Sequence, residues 1–158
     1  MKTEILIIGE GGQGIQTLGD ILAEAAHNDG YWPYSKCDYT PAPRGGEVIA
    51  SVIIAGEAQI YPLVEKADYV FVLSSNKSLE FVKDKITEKT CIVSVDPDSV
   101  FLKTTKIKRL FVIKHDDKRI PLNIFMLAII QEIISMLSDE SIAKAVQKIL
   151  GKKRIGLE

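Results

Sequence analysis

The sequence predicts an α/β fold in which helices flank a mainly parallel β-sheet. Three observations predict it. Short apolar, β-branched runs alternate with stretches whose apolar residues recur at helical spacing. The first such run is closed by a glycine-rich loop that leads straight into a helix-period stretch. The chain has 158 residues, 46% of them apolar and 26% charged, the size and composition of one globular domain that needs no disulfide or metal to hold its core.

The elements follow in order. Glu4-Ile5-Leu6-Ile7-Ile8 reads as a strand buried on both faces. Residues 9–14 form a loop. Ile15, Leu18, Leu22 and Ala25/Ala26 then recur at helical spacing, which predicts a helix over 14–28 stopped by Asn28-Asp29-Gly30. Tyr31 to Glu47 carries four aromatics (Tyr31, Trp32, Tyr34, Tyr39) and three prolines (Pro33, Pro41, Pro43); it reads as a long functional loop. Val48–Ala55 is a strand, and Tyr61–Ala67 a short helix with Pro62 in its first turn. Tyr69–Leu73 is a strand, and Ser74-Ser75-Asn76 caps a helix continued by Leu79, Val82 and Ile86. Cys91–Val95 and Leu110–Ile113 are strands, Asp96-Pro97-Asp98 is a turn, and 122–137 and 139–150 are helices.

Several function classes are excluded. Twenty basic residues balance 21 acidic ones, for a net charge of −1, so nucleic acid is not the expected partner. Cys37 and Cys91 lie far apart and the only histidines are His27 and His115; within this chain neither an iron–sulfur cluster nor a structural zinc is expected. The thiols read as ordinary residues of a reducing cytoplasm. No signal segment is expected, and the richest apolar stretch, Leu122–Leu137, is interrupted by Asn123, Gln131 and Glu132, so no membrane span is expected either.

Two segments invite a functional reading. Gly9-x-Gly11-x-x-Gly14, between a strand and a helix, has the context of a Rossmann-like dinucleotide fingerprint. Backbone N–H groups at such a helix start face an anion and are aided by the helix dipole. The expected ribose-binding acid would be Asp38, somewhat late in the sequence. A ligand-free turn, with glycines for close packing only, fits the same residues. Arg44-Gly45-Gly46 sets a planar phosphate- or carboxylate-binding fork before a glycine pair; a surface arginine beside a glycine hinge is the alternative.

Taken together, the two segments resemble the gamma subunit, or gamma domain, of 2-oxoacid:ferredoxin oxidoreductases. The match runs through Gly9-Glu10-Gly11-Gly12-Gln13-Gly14, Gly19, Leu22-Ala23-Glu24-Ala25-Ala26, then Tyr39, Pro41, Arg44, Gly45 and Gly46, with Thr40 in place of a glycine and Ala42 in place of an acid. The Pro62–Leu73 step and Asn123 at the start of a late helix extend it. The resemblance implies that 1–158 is a single gamma-type domain of a hetero-oligomer that decarboxylates a 2-oxoacid oxidatively, reduces ferredoxin and passes the acyl group to coenzyme A (CoA). It implies no catalytic residue here. Thiamine diphosphate, magnesium and iron–sulfur clusters would sit on alpha, beta and delta-type partner subunits, through which ferredoxin is reached indirectly. Gly9, Gly11, Gly12, Gln13 and Gly14 become candidate contacts to CoA phosphate or pantetheine. Arg44, Gly45 and Gly46 become a loop facing ligand or neighbouring subunit, and Asn76 a further candidate on the same rim of the sheet. A stand-alone nucleotide-binding module and a ligand-free scaffold are the competing readings.

Overall fold

The computed structural model describes residues 1–40, 46–74, 81–95 and 107–155. Its strands are β1 (Lys2–Glu10), β2 (Trp32–Tyr39), β3 (Glu47–Ala55), β4 (Tyr69–Val72), β5 (Cys91–Ser94) and β6 (Arg109–Val112); its helices are α1 (Ile15–Asn28), α2 (Leu122–Ile134) and α3 (Asp139–Ile155). The strands form one sheet in the order β2-β3-β1-β4-β5-β6. β4, β5 and β6 extend it in parallel from β1, whereas β3 is antiparallel to both β1 and β2. Only β3 therefore opposes the common direction, and the mainly parallel α/β expectation holds.

β1 is central, with neighbours on both sides and both of its faces covered. Ile5 and Ile7 join α1, α2 and α3 in one core through Leu18, Leu22, Ala25, Met126, Ile130 and Ala145. Leu6 and Ile8 point the other way, into a second core with Val64, Ala67, Val70, Val82 and Ile92. Burial on both faces is why the run is continuously apolar instead of alternating. Among the described residues, all three α-helices belong to the first face.

Four sequence expectations are corrected. The long loop over Tyr31–Glu47 is mostly strand: β2 pairs with β3 from Trp32↔Ala55 to Tyr39↔Val48. Being the edge strand, β2 tolerates Pro33, which has no N–H for a ladder. Thr40 closes the hairpin, its N–H donating to the Glu47 carbonyl at 2.9 Å and its Oγ1 accepting the Glu47 N–H at 3.0 Å. Tyr61–Ala67 is not a helix. The N–H groups of Glu65 and Lys66 donate to Glu4 Oε2 at 3.1 and 2.9 Å, and that of Ala67 to the Lys85 carbonyl at 2.8 Å. α2 stops at Ile134 rather than 137, closed by Ser135 with a φ of 44°. Part of the helix expected after Ser74-Ser75-Asn76 lies outside the described residues. The described part holds a 3-10 turn at Lys83–Lys85 in place of a continuing helix. The Asp96-Pro97-Asp98 turn also lies outside the described residues.

The end of α1 is tied to the start of α3. Asp29 accepts from the Ser138 N–H at 2.7 Å, the Ser138 hydroxyl at 2.7 Å and the Ser141 hydroxyl at 2.6 Å. Among the described residues, no helix is long and apolar enough to cross a membrane, and no group of three or more His, Cys, Asp or Glu could hold a metal ion.

Candidate functional site: the glycine loop

β1 ends where its chain must turn sharply to start α1. A Cβ on Gly9 would stand 2.5 Å from Gln13 Oε1 and 2.6 Å from Ile15 Cδ1, so a side chain there would push aside the ends of both residues that fold over the turn. Gln13 closes the turn: its Oε1 accepts the Glu10 N–H at 2.8 Å and its own N–H donates to the Glu10 carbonyl at 3.2 Å. The Gly11 N–H donates to the Gly46 carbonyl at 2.9 Å. The structure thus joins the first glycine segment to the end of the second, which sequence reading had linked only by resemblance. Arg44, Gly45 and Asn76 lie outside the described residues.

The remaining amides are open. Those of Gly12, Ile15 and Gln16 have no acceptor among the described residues; the first turn of any helix leaves such donors without an intrahelical partner. Gly12 has a φ of 90° and nothing within 4 Å of where a side chain would be, and Gly14, at the N-cap of α1, has a φ of 76°. These left-handed conformations aim the loop outward into a cleft of about 290 Å³ whose walls include Gly11, Gly12, Gln16, Tyr39 and Val48. The Tyr39 hydroxyl donates to Gln16 Oε1 at 2.8 Å across the mouth. The neighbouring Cys37, followed by burial, holds the Tyr39 phenol above its ordinary value; the hydroxyl keeps its proton and remains a donor. Burial also pushes the Cys37 thiol up, which suits a plain small residue better than a redox thiol.

Open amides, a helix N-terminus and absent side chains are the features with which a backbone can hold a phosphate group. A larger, open groove of about 450 Å³ between α1, α3 and the start of β2 has no such convergence of donors; its Lys148 and Glu24 are paired with each other at 2.6 Å. The ribose-binding role of Asp38 finds no support: Asp38 sits on the edge strand, separated from β1 by β3, and pairs with Lys36 at 2.7 Å. Gln16 and the proximity of Asn123 were not read as site features in the sequence. A Cβ on Gly14 would stand 2.5 Å from Asn123 Nδ2, a contact between distant parts of the chain that no local pattern encodes.

Comparison with known proteins identifies the family. The family model for pyruvate ferredoxin/flavodoxin oxidoreductase matches residues 4–157. The 2-oxoglutarate synthase subunit KorC of Methanocaldococcus jannaschii is 33% identical over 158 residues, an alignment covering 92% of this chain and 82% of that protein. KorC of Methanothermobacter marburgensis is 38% identical over 101 residues, where the match spans 53% of that protein's length. Among solved structures, the pyruvate oxidoreductase subunit PORC of Thermotoga maritima superposes with a TM-score of 0.73 at 23% identity, covering 94% of this chain and 85% of that one. The 2-oxoglutarate:ferredoxin oxidoreductase of Magnetococcus marinus, with 2-oxoglutarate, coenzyme A and succinyl-CoA bound, superposes with a TM-score of 0.74 at 23% identity, covering 96% of this chain and 27% of that one. At these identities the superpositions show the fold. With a family model spanning nearly the whole sequence and a relative one-third identical along most of it, this chain belongs to the pyruvate ferredoxin/flavodoxin oxidoreductase family.

Proposed function

We propose that the chain is the gamma subunit of a 2-oxoacid:ferredoxin oxidoreductase. In such a complex a 2-oxoacid is oxidatively decarboxylated to acyl-CoA while ferredoxin is reduced, and this subunit shapes the CoA side of the active centre and binds the catalytic subunits. The observation that carries the reading is the cradle of open amides at Gly12, Ile15 and Gln16, with Gly46 hydrogen-bonded to the same loop. CoA is polyanionic, and a diphosphate is the group such a cradle takes. CoA bound to the Magnetococcus marinus relative supports the same ligand.

The chemistry of decarboxylation and electron transfer belongs to other chains in this reading. Cys37 on β2 and Cys91 on β5 are four strands apart in the sheet, ~19 Å at the usual strand spacing, too far to ligate one cluster. Thiamine diphosphate, magnesium and iron–sulfur clusters then sit on alpha, beta and delta-type subunits, and ferredoxin is met through them, in the cytoplasm. Docking to those subunits is supported by Ile60, Tyr61 and Leu63, which are 89%, 84% and 61% exposed on one anchored segment; large exposed apolar groups close together mark interaction surfaces.

Reconstitution tests the reading. The chain mixed with thiamine- and cluster-bearing partners is expected to give ferredoxin reduction that requires both a 2-oxoacid and CoA. The same CoA-dependent rate without this chain, or no rate with partners proven competent, rejects it. A stand-alone dinucleotide-binding module has the glycine loop in its favour and predicts tight NAD binding by the isolated chain in calorimetry; the position of Asp38 opposes it.

A further inference from the structure

We propose that Asn123 is the positioning residue of the glycine loop. The inference rests on the reading of that loop as the CoA-facing surface. Asn123 is the second residue of α2. Its Oδ1 accepts the N–H of Ile124 at 3.0 Å, which fixes the plane of the carboxamide against its own helix. The helix in turn is anchored in the core by Met126, Leu127 and Ile130, which are 0%, 6% and 1% exposed.

The fixed carboxamide occupies the space where a side chain on residue 14 would lie. A Cβ there would stand 2.5 Å from Nδ2, 2.9 Å from Cγ and 3.1 Å from Cβ of Asn123. Asn123 thus abuts the one residue that converts the loop into α1 and that carries a left-handed φ of 76°. The direction of the open amides at Ile15 and Gln16 depends on that conformation, since both follow Gly14 in the chain. Nδ2 donates to no described residue, so the carboxamide is not held in place by a second partner of its own. It acts as a wedge between two helix starts, and a neutral one.

Charge separates a positioning role from a merely structural one. Aspartate at position 123 keeps the shape and the acceptor for Ile124, and a carboxylate in the first turn of α2 favours that helix. The same charge lies against the start of α1, where it opposes a phosphate. Asn123→Asp is therefore expected to leave thermal stability unchanged or raised, yet to raise the KM for CoA about tenfold in the reconstituted complex, with a much smaller effect on kcat. Asn123→Ala removes the wedge and is expected to raise that KM about threefold. Wild-type KM values for CoA in assembled complexes carrying either variant overturn the inference while leaving the proposed function standing. A wild-type complex that reduces ferredoxin without needing CoA ends the proposed function itself, and this inference with it.

Discussion

The two ends of β1 are built in opposite ways. At its carboxyl end the chain sheds side chains and leaves backbone donors open: Gly9, Gly11, Gly12 and Gly14 crowd one turn, and the amides of Gly12, Ile15 and Gln16 are among those with no acceptor among the described residues. At its amino end the backbone is engaged and the side chains are shown. Glu4, only 5% exposed, takes the N–H groups of Glu65 and Lys66 on one carboxylate oxygen, pairs with Lys2 through the other, and donates its own N–H to Asp68 at 2.8 Å. The segment so pinned presents Ile60, Tyr61 and Leu63 outward. One strand thereby carries open backbone donors at one end and, beside the other, exposed apolar side chains; these are the two ends where the proposed function sets ligand and partner subunit. Recognition of a phosphate needs directed N–H groups; recognition of a subunit needs apolar area.

The sharpest way to break this contrast is at Gly14. Gly14→Val forces a β-branched residue into a left-handed conformation and drives its Cβ onto Asn123; a loss of about 3 kcal/mol in urea denaturation is expected. A loss below about 1 kcal/mol would mean the loop yields freely, and the rigid cradle would have to be abandoned. Glu4→Ala tests the other end. It strips the acceptor from two loop amides at a buried position and is expected to cost about 2 kcal/mol, with faster tryptic cleavage at Lys66. Unchanged stability and cleavage together would show that the clamp does not hold the segment.

Asp29 gives a smaller effect with a pH signature. Burial alone would raise its carboxyl, but hydrogen bonds from the Ser141 hydroxyl and from the Ser138 amide and hydroxyl outweigh it and hold the group below the usual carboxylate value. Its contribution is then complete above about pH 4, the value in the unfolded chain, and fades as pH falls through the lower folded value. Asp29→Asn is expected to cost about 1 kcal/mol at neutral pH and to lose that acid-limb dependence. Equal acid limbs for the two proteins would remove Asp29 from the account. Tyr61→Ser should change the isolated chain least, by under about 0.5 kcal/mol, while weakening assembly with partner subunits in gel filtration. Full assembly would place the docking surface elsewhere.

Legibility in the sequence followed the range of the forces involved. β1, the glycine turn and α1 could be read because every determinant lies within thirty residues, and α2 and α3 because their apolar spacing is local. β2 was hidden since Trp32–Tyr39 is stabilised by pairing with β3, and its aromatics and Pro33 resemble loop chemistry when the partner strand is out of view. The segment around Tyr61 looked helical because nothing nearby reveals that Glu4 captures its amides. The turn at Gly9, Gly11, Gly12 and Gly14 is legible from the glycine-rich run between strand and helix. Sequence makes Gln13 a candidate ligand contact; that its Oε1 closes the turn on the Glu10 amide is seen only in the structure. Tyr39 over Gln16 and Asn123 against Gly14 are contacts of folding, invisible to any motif.

The Asp29 clasp between α1 and α3 has a bearing on biogenesis. The apolar side of α1 is synthesised early, but part of its cover, Ala145 with Ile142, Val146 and Ile149 beside it, comes from α3. A nascent chain therefore keeps part of that face uncovered until α3 has left the ribosome, and a product truncated before α3 is expected to expose apolar surface that the full-length chain hides.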